Sequence, residues 1–353
     1  MTRGGLRRLL LSVGLGWTLL GQLAPATELS HVGGWSQIPI LERLERPLWE
    51  ERLAAHSEGA LTATLIPVNQ LGLEGGEVFR LLARGVFDSG SAVADHVIGD
   101  APALAGLDLP GLAFDIATAQ QIAAAYRPVA ARILEARFDA RLLAMVPYPA
   151  QVLFCNDAVS GLDDLNGRRI RVSGRTAADF VGVFGATGLT LPFAEVPGAL
   201  ERGALDCAVT GTLTGYNAGW HELTDHLLPV PVGGWDYLLT AMRGERWRAI
   251  PPELQASLPA LIETEYEDPA WAMMEQLSTD GVHCLTGTGP CPHGMPGHMT
   301  LHPVSADTTA KARAALEQHV LPAWADSVCS ADIEAWNASV GRVTGLTARR
   351  DQP

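Results

Sequence analysis

Four arginines, Arg168, Arg169, Arg171 and Arg175, crowd eight positions of an otherwise acidic chain. A guanidinium presents planar, paired N–H donors that match a carboxylate, so this cluster suits an anion clamp. The competing reading is a solvated strand edge. Alternation sets Arg169 and Arg171 on one face of a short strand, with Arg168 and Ile170 on the other. A second concentration of reactive side chains comprises His283, Cys284, Cys291, His293, His298 and His302. Imidazoles and thiolates this close together can hold zinc or copper, which makes an exported metal-binding protein the main alternative. The other reading is a small ring closed by Cys284 and Cys291, with solvated histidines, and the irregular Gly/Pro spacing favours it. Catalytic signatures are weak. There is no G-x-S-x-G elbow, H-E-x-x-H or P-loop, and Asp95-His96 and Asp225-His226 are sequence neighbours that rarely face each other productively. An exported hydrolase with a scattered triad ranks third.

These residues need elements to position them, and a doubled phrase says which. Glu77-Val78-x-x-x-Leu82-x-Arg84-Gly85-x-x-Asp88 returns as Glu195-Val196-x-x-x-Leu200-x-Arg202-Gly203-x-x-Asp206, a separation of 118 residues (195 − 77). Each copy predicts a helix stopped by glycine at its C′ position and followed by a strand. A period this long exceeds the roughly 20–50 residues of solenoid units. It fits two α/β lobes of similar build with a cleft between them. Strand and helix patterns alternate through the chain, as expected for mostly parallel sheets flanked by helices. Ligands of such sheets bind beyond the carboxyl ends of the strands, where Asp95, Thr210 and the residues after Arg171 fall. The expected division is 27–149 for the first part of lobe I and 150–237 for lobe II. Residues 238–353 then return to lobe I through a long connecting helix, with C-terminal helices packing across both lobes. Trp35, Trp220, Trp235 and Tyr237 fall in or beside loops, where they serve either as packing between lobes or as ligand walls.

Composition narrows the partners. Arg3, Arg7 and Arg8 precede the apolar run from Leu9 to Leu20, and Ala24-Pro25-Ala26 supplies a cleavage pattern, so 1–26 reads as a signal peptide. Export to the periplasm follows as an expectation. Losing three arginines moves the formal charge from −14 to about −17 (−14 − 3). Such a chain has no bulk electrostatic attraction for nucleic acid or anionic lipid. An exported compartment permits disulfides, and Cys155 and Cys207 sit in two apolar segments that could be neighbouring strands.

At the arginine cluster a resemblance becomes specific. Asp164-Leu165-Asn166-Gly167-Arg168-Arg169-Ile170-Arg171-Val172 resembles the D-L-x-G-x-K/R-x-R-V segment of the solute-binding proteins of tripartite ATP-independent periplasmic (TRAP) transporters, dicarboxylate-binding type. Pro192-Phe193-Ala194-Glu195-Val196, followed by Ala199-Leu200-x-x-Gly203-x-x-Asp206, is similar to the same family. So are Gln70-Leu71-Gly72 and Trp336-Asn337-x-x-Val340-Gly341. The resemblance implies a two-lobed periplasmic-binding-protein fold, an organic acid anion as ligand, membrane permease subunits as partners, and neither catalysis nor cofactor. It makes Arg171 the carboxylate clamp, lays Phe193 against the ligand and gives Thr210 a polar contact. Where sialic-acid binders of the family carry a second arginine, this chain has Gln151, which argues against that ligand. Where those binders place an asparagine shortly after the clamp, this chain has Gly174-Arg175, with Arg175 expected as a second cation, and Asp95 falls near a polar position of the first lobe. Trp35 and Trp235 complete the expected walls.

Overall fold

The computed structural model describes residues 26–350. The signal-peptide expectation falls almost wholly on residues outside that range. Among the described residues, eleven strands form two sheets. The first contains β1 (Thr27–Gly33), β2 (Leu61–Pro67), β3 (Ser89–Val93), β4 (Ala140–Val146) and β10 (Leu238–Arg243), in the order β2-β1-β3-β10-β4. The second contains β5 (Gln151–Cys155), β6 (Arg169–Val172), β7 (Thr187–Thr190), β8 (Cys207–Gly211), β9 (His226–Leu228) and β11 (Thr300–Leu301), in the order β11-β9-β5-β8-β6-β7.

Each sheet is parallel apart from one strand, and that strand is the one that arrives from the other lobe. β5 runs antiparallel to β8 and β9, and β10 antiparallel to β3 and β4. The chain therefore crosses between lobes at 147–150 and again at 229–237. The cleft edge of each sheet gathers the carboxyl ends of parallel strands and the amino end of one antiparallel strand. One part of 238–353 does not return to lobe I, because Thr300–Leu301 pairs with His226–Leu228 at the edge of the second sheet.

The doubled phrase forms the same unit twice. Helices Val78–Ala83 and Val196–Glu201 end before Gly85 (φ 74°) and Gly203 (φ 63°), left-handed positions that a Cβ would strain. β3 and β8 follow. The aspartate closing each phrase anchors its strand. Asp88 accepts from the Ser30 N–H and hydroxyl and from Arg246, and Asp206 accepts the Arg169 N–H at 2.7 Å and its guanidinium.

Beyond β10, helix Pro252–Ile262 runs through one wide π-type turn, Glu263–Glu267, into helix Asp268–Thr286. Glu267 accepts from Arg127 and from the Met145 N–H of β4, both at 2.6 Å, tying this helix to lobe I. Helix Asp268–Thr286 packs against helix Thr212–Asn217 of lobe II. The C-terminal helices bridge as well. Segment Leu316–Val320 lies on helix Arg175–Val183 of lobe II, and Leu321–Ser327 lies on the turn Pro102–Leu107 of lobe I. Cys155 and Cys207 are register partners on β5 and β8 and form a disulfide, as do Cys284 and Cys291, leaving Cys329 free and exposed.

Candidate ligand-binding site

The four clustered arginines have four different environments. Arg168 bonds to the carbonyls of Asp157, Ala158 and Asp164 and fixes the turn before β6. Arg169 pairs with Asp206 at 2.7 Å. Arg175 points outward, with its nearest carboxylate Asp179 at 3.6 Å. Arg171 alone enters the interior, at 7% exposure.

Its Nε donates to the Leu191 carbonyl at 3.0 Å and its Nη1 to the Val209 carbonyl at 2.9 Å. Those two bonds set the plane of the group and leave its remaining N–H donors for another partner. Burial holds the Arg171 pKa down, to about 10, with the Asp236 charge opposing, so the group stays cationic at neutral pH. The guanidinium carbon lies 6.0 Å from the Phe193 ring centroid, and Phe193 in turn stacks on the fully buried Trp220 at 5.2 Å.

Around Arg171 is a cavity enclosing about 570 Å³ of space free of protein atoms, part of it open to solvent. Arg171, Ser173, Phe193, Thr210 and Thr214 supply the lobe II wall. Trp35, Gln37, Ile38, Val93 and His96 supply the lobe I wall. Tyr148, Gln151 and Asp236 come from the crossing segments and their strand starts. The cavity therefore touches all three parts of the cleft.

Local bonding explains how these side chains are held. Gln151 Nε2 donates to the Pro149 carbonyl at 2.7 Å, turning its carboxamide along the wall. The Trp35 loop rests on buried Glu45, which accepts the Gly34 N–H at 2.9 Å, the Ser91 hydroxyl at 2.6 Å and lies 3.1 Å from His31 Nε2. The Trp35 N–H donates to the Tyr148 hydroxyl at 3.2 Å, linking that loop to the first crossing. Asp108 accepts the N–H groups of Trp235 and Asp236, at 2.9 and 2.7 Å, and so shapes the second crossing. Burial raises Asp108 to about 7 and Asp95 to about 6, and lowers His96 to about 4 with help from the Arg171 charge.

Of the residues expected from sequence, Arg171, Gln151, Phe193, Thr210 and Trp35 line this cavity. Three others do not. Arg175 lies away from the cavity, because β6 has ended and the following helix turns it to solvent. Trp235 is core, its indole donating to the Ala113 carbonyl at 3.2 Å, and its neighbour Asp236 faces the cavity instead. Asp95 joins the lobes directly, accepting the Thr176 hydroxyl at 3.2 Å across the cleft. Sequence reasoning missed His96, Tyr148, Ser173, Thr214 and Asp236. Tyr148 sits between Pro147 and Pro149 at the first crossing, and that proline-flanked turn was the available signal.

The Cys/His-rich stretch does not converge. Its cysteines are joined to each other, His293 faces Asp280 at 3.3 Å, and His302 faces His226 at 3.0 Å. Among the described residues no group of three or more His, Cys, Asp or Glu could hold a metal ion.

Residues 38–285 match the model of the bacterial extracellular solute-binding proteins, family 7. The chain belongs to that family. Solved structures of solute receptors share its architecture at low identity. A Bordetella pertussis extracytoplasmic solute receptor binding pyroglutamic acid, DctP7, superposes with TM-score 0.75 at 19% identity, covering 89% of this chain and 99% of its own. A TRAP periplasmic solute-binding protein from Desulfovibrio salexigens with bound orotic acid gives 0.77 at 16%, covering 90% and 99%. The periplasmic ectoine-binding protein of the TeaABC TRAP transporter of Halomonas elongata gives 0.77 at 15%, covering 91% and 100%. Each is a two-lobed relative, and family-7 proteins are receptors for solutes rather than enzymes. No helix among the described residues is long and apolar enough to cross a membrane.

Proposed function

We propose that this protein captures a small organic acid in the periplasm and hands it to the membrane permease subunits of a TRAP transporter. Arg171 is the observation that carries this reading. A buried cation whose hydrogen bonds go to two carbonyls, on the wall of an interlobe cavity, is suited to a carboxylate. Phe193 and Trp35 give the acid its apolar walls, and Gln151 and Thr210 give it polar contacts. Closure of both lobes on the acid excludes water and creates the surface that a permease reads.

A melting-temperature screen against organic acids identifies ligands, since a bound ligand stabilises the native state by mass action. Pyroglutamic and orotic acid, held by two of the structural relatives, head that screen. Arg171→Ala should then weaken the best acid at least about 100-fold, from the loss of two charge-assisted bonds at roughly 1.5–3 kcal/mol each. Tight acid binding by a folded Arg171→Ala protein would sink the reading.

A further inference from the structure

Asp236 sits on the second crossing between lobes and lines the same cavity as Arg171. Three observations set it apart. Its φ is 45°, in the left-handed region that few residues other than glycine occupy. Its N–H is bound by Asp108 at 2.7 Å, so the strained turn is held by a second carboxylate. Its Oδ1 is buried and has no hydrogen-bond partner among the described residues. A strained, buried acceptor is costly, and such features concentrate where a ligand completes them.

Arg171 is the obvious partner, yet both its hydrogen bonds go to carbonyls and neither goes to a carboxylate. Asp236 and Arg171 thus face one cavity from different elements without forming a pair. The charge balance bears on what fits between them. Asp236 feels Asp108 and Asp95 from lobe I and Arg171 from β6, with the Tyr148 phenol and the neutral His96 ring nearby. An acid with no other polar group offers its carboxylate to Arg171 and nothing to the unpartnered Asp236 Oδ1. A molecule with a donor at its second end gives Asp236 the partner it lacks.

We propose that the ligand carries an N–H donor beside its carboxylate, an ammonium or a ring amide, which Asp236 receives while Arg171 holds the carboxylate. This deepens the organic-acid reading and rests on it. Burial raises the Asp236 pKa, with Asp108 and Asp95 adding to the effect. An N–H donor binds the ionised form, so its affinity rises with pH through the titration of this group. An acid lacking the donor prefers the protonated form, so its affinity falls over the same range.

The test uses matched acids that differ in that one group. Pyroglutamate is compared with its ring-oxygen lactone analogue, and proline with tetrahydrofuroate, by calorimetry on the mature protein alongside the acids found in the screen. Asp236→Asn is the variant, because asparagine tolerates the left-handed backbone. Its unliganded melting temperature reports that it folds. In the wild type, the N–H member of whichever pair binds should be at least about tenfold tighter, the scale of one charge-assisted bond. In Asp236→Asn that preference should fall toward one. Equal binding within the pair, preference for the N–H-free member, or a preference untouched in Asp236→Asn overturns the proposal. If acids bind only when they lack an N–H donor, the proposal fails while the carboxylate reading stands. If no acid binds at all, or binding ignores Arg171→Ala, both fail.

Discussion

Gly174→Ala should leave each lobe folded and weaken ligand binding about 5- to 150-fold. Gly174 has extended backbone, φ −153° and ψ −176°, which alanine adopts without strain. The penalty comes from across the cleft. A Cβ at this position would meet both carboxylate oxygens of Asp95 and stand 2.5 Å from its carboxyl carbon. Overpacking of this kind costs about 1–3 kcal/mol. Asp95 belongs to lobe I and Gly174 to lobe II, so the clash exists only where the lobes meet, and the whole penalty falls on the closed form. At about 1.4 kcal/mol per factor of ten, that gives the stated range. Displacing Asp95 also breaks its bond from the Thr176 hydroxyl, a loss counted within that range. Asp95→Ala alone should change affinity little, since it loses that bond but also removes a carboxylate that burial disfavours. The double variant Gly174→Ala/Asp95→Ala should regain most of the affinity. Calorimetry with the best acid from the screen gives the four affinities, and small-angle scattering with that acid reports closure. Wild-type affinity and closure in Gly174→Ala, or a double variant no better than Gly174→Ala alone, would refute the interlobe contact.

Two further predictions concern stability. Asp108 has a folded pKa raised by burial from 3.8 to about 7, and a raised folded value means stabilisation that is complete below 3.8 and lost as pH rises through about 7. Asp95, raised to about 6, acts in the same direction. The melting temperature should therefore fall by a few degrees between pH 5 and pH 8, and Asp108→Asn should flatten that slope. A wild-type protein more stable at pH 8 than at pH 5 would contradict the assignment. Replacing Cys155 and Cys207 with serine should cost about 4 kcal/mol, because that bridge spans a separation of 52 residues. The Cys284–Cys291 bridge spans only 7, so its removal should cost less in denaturant melts, and the reverse order would refute the loop-entropy argument.

Sequence legibility followed the range of the interactions. Gly85 and Gly203 were readable because a helix stop is local, and both indeed take the left-handed conformation. Cys155 and Cys207 were readable as strand neighbours, though five cysteines left the pairing open until β5 and β8 were seen in register. Arg171 was separable from Arg168 and Arg169 only through the motif around it. The outward turn of Arg175 depended on where β6 ends, a boundary that local pattern does not define to within a few residues.

By itself, the sequence pointed to two α/β lobes with a cleft between them, through a phrase repeated 118 residues apart (195 − 77). The expectation of an anion clamp at Arg171 came from the motif around it and the family that motif resembles. Only the tertiary structure decided what surrounds that guanidinium. Asp236 and Arg171 lie 65 positions apart (236 − 171) and share a cavity because the chain crosses between lobes twice. Trp235 and Asp236 are adjacent, yet one is core and the other faces the cavity, because Asp108 binds both N–H groups and turns the backbone there. Asp95 became a contact between lobes rather than a wall because Gly174 leaves room for its carboxylate. Such outcomes depend on long-range packing, which no local pattern of residues carries.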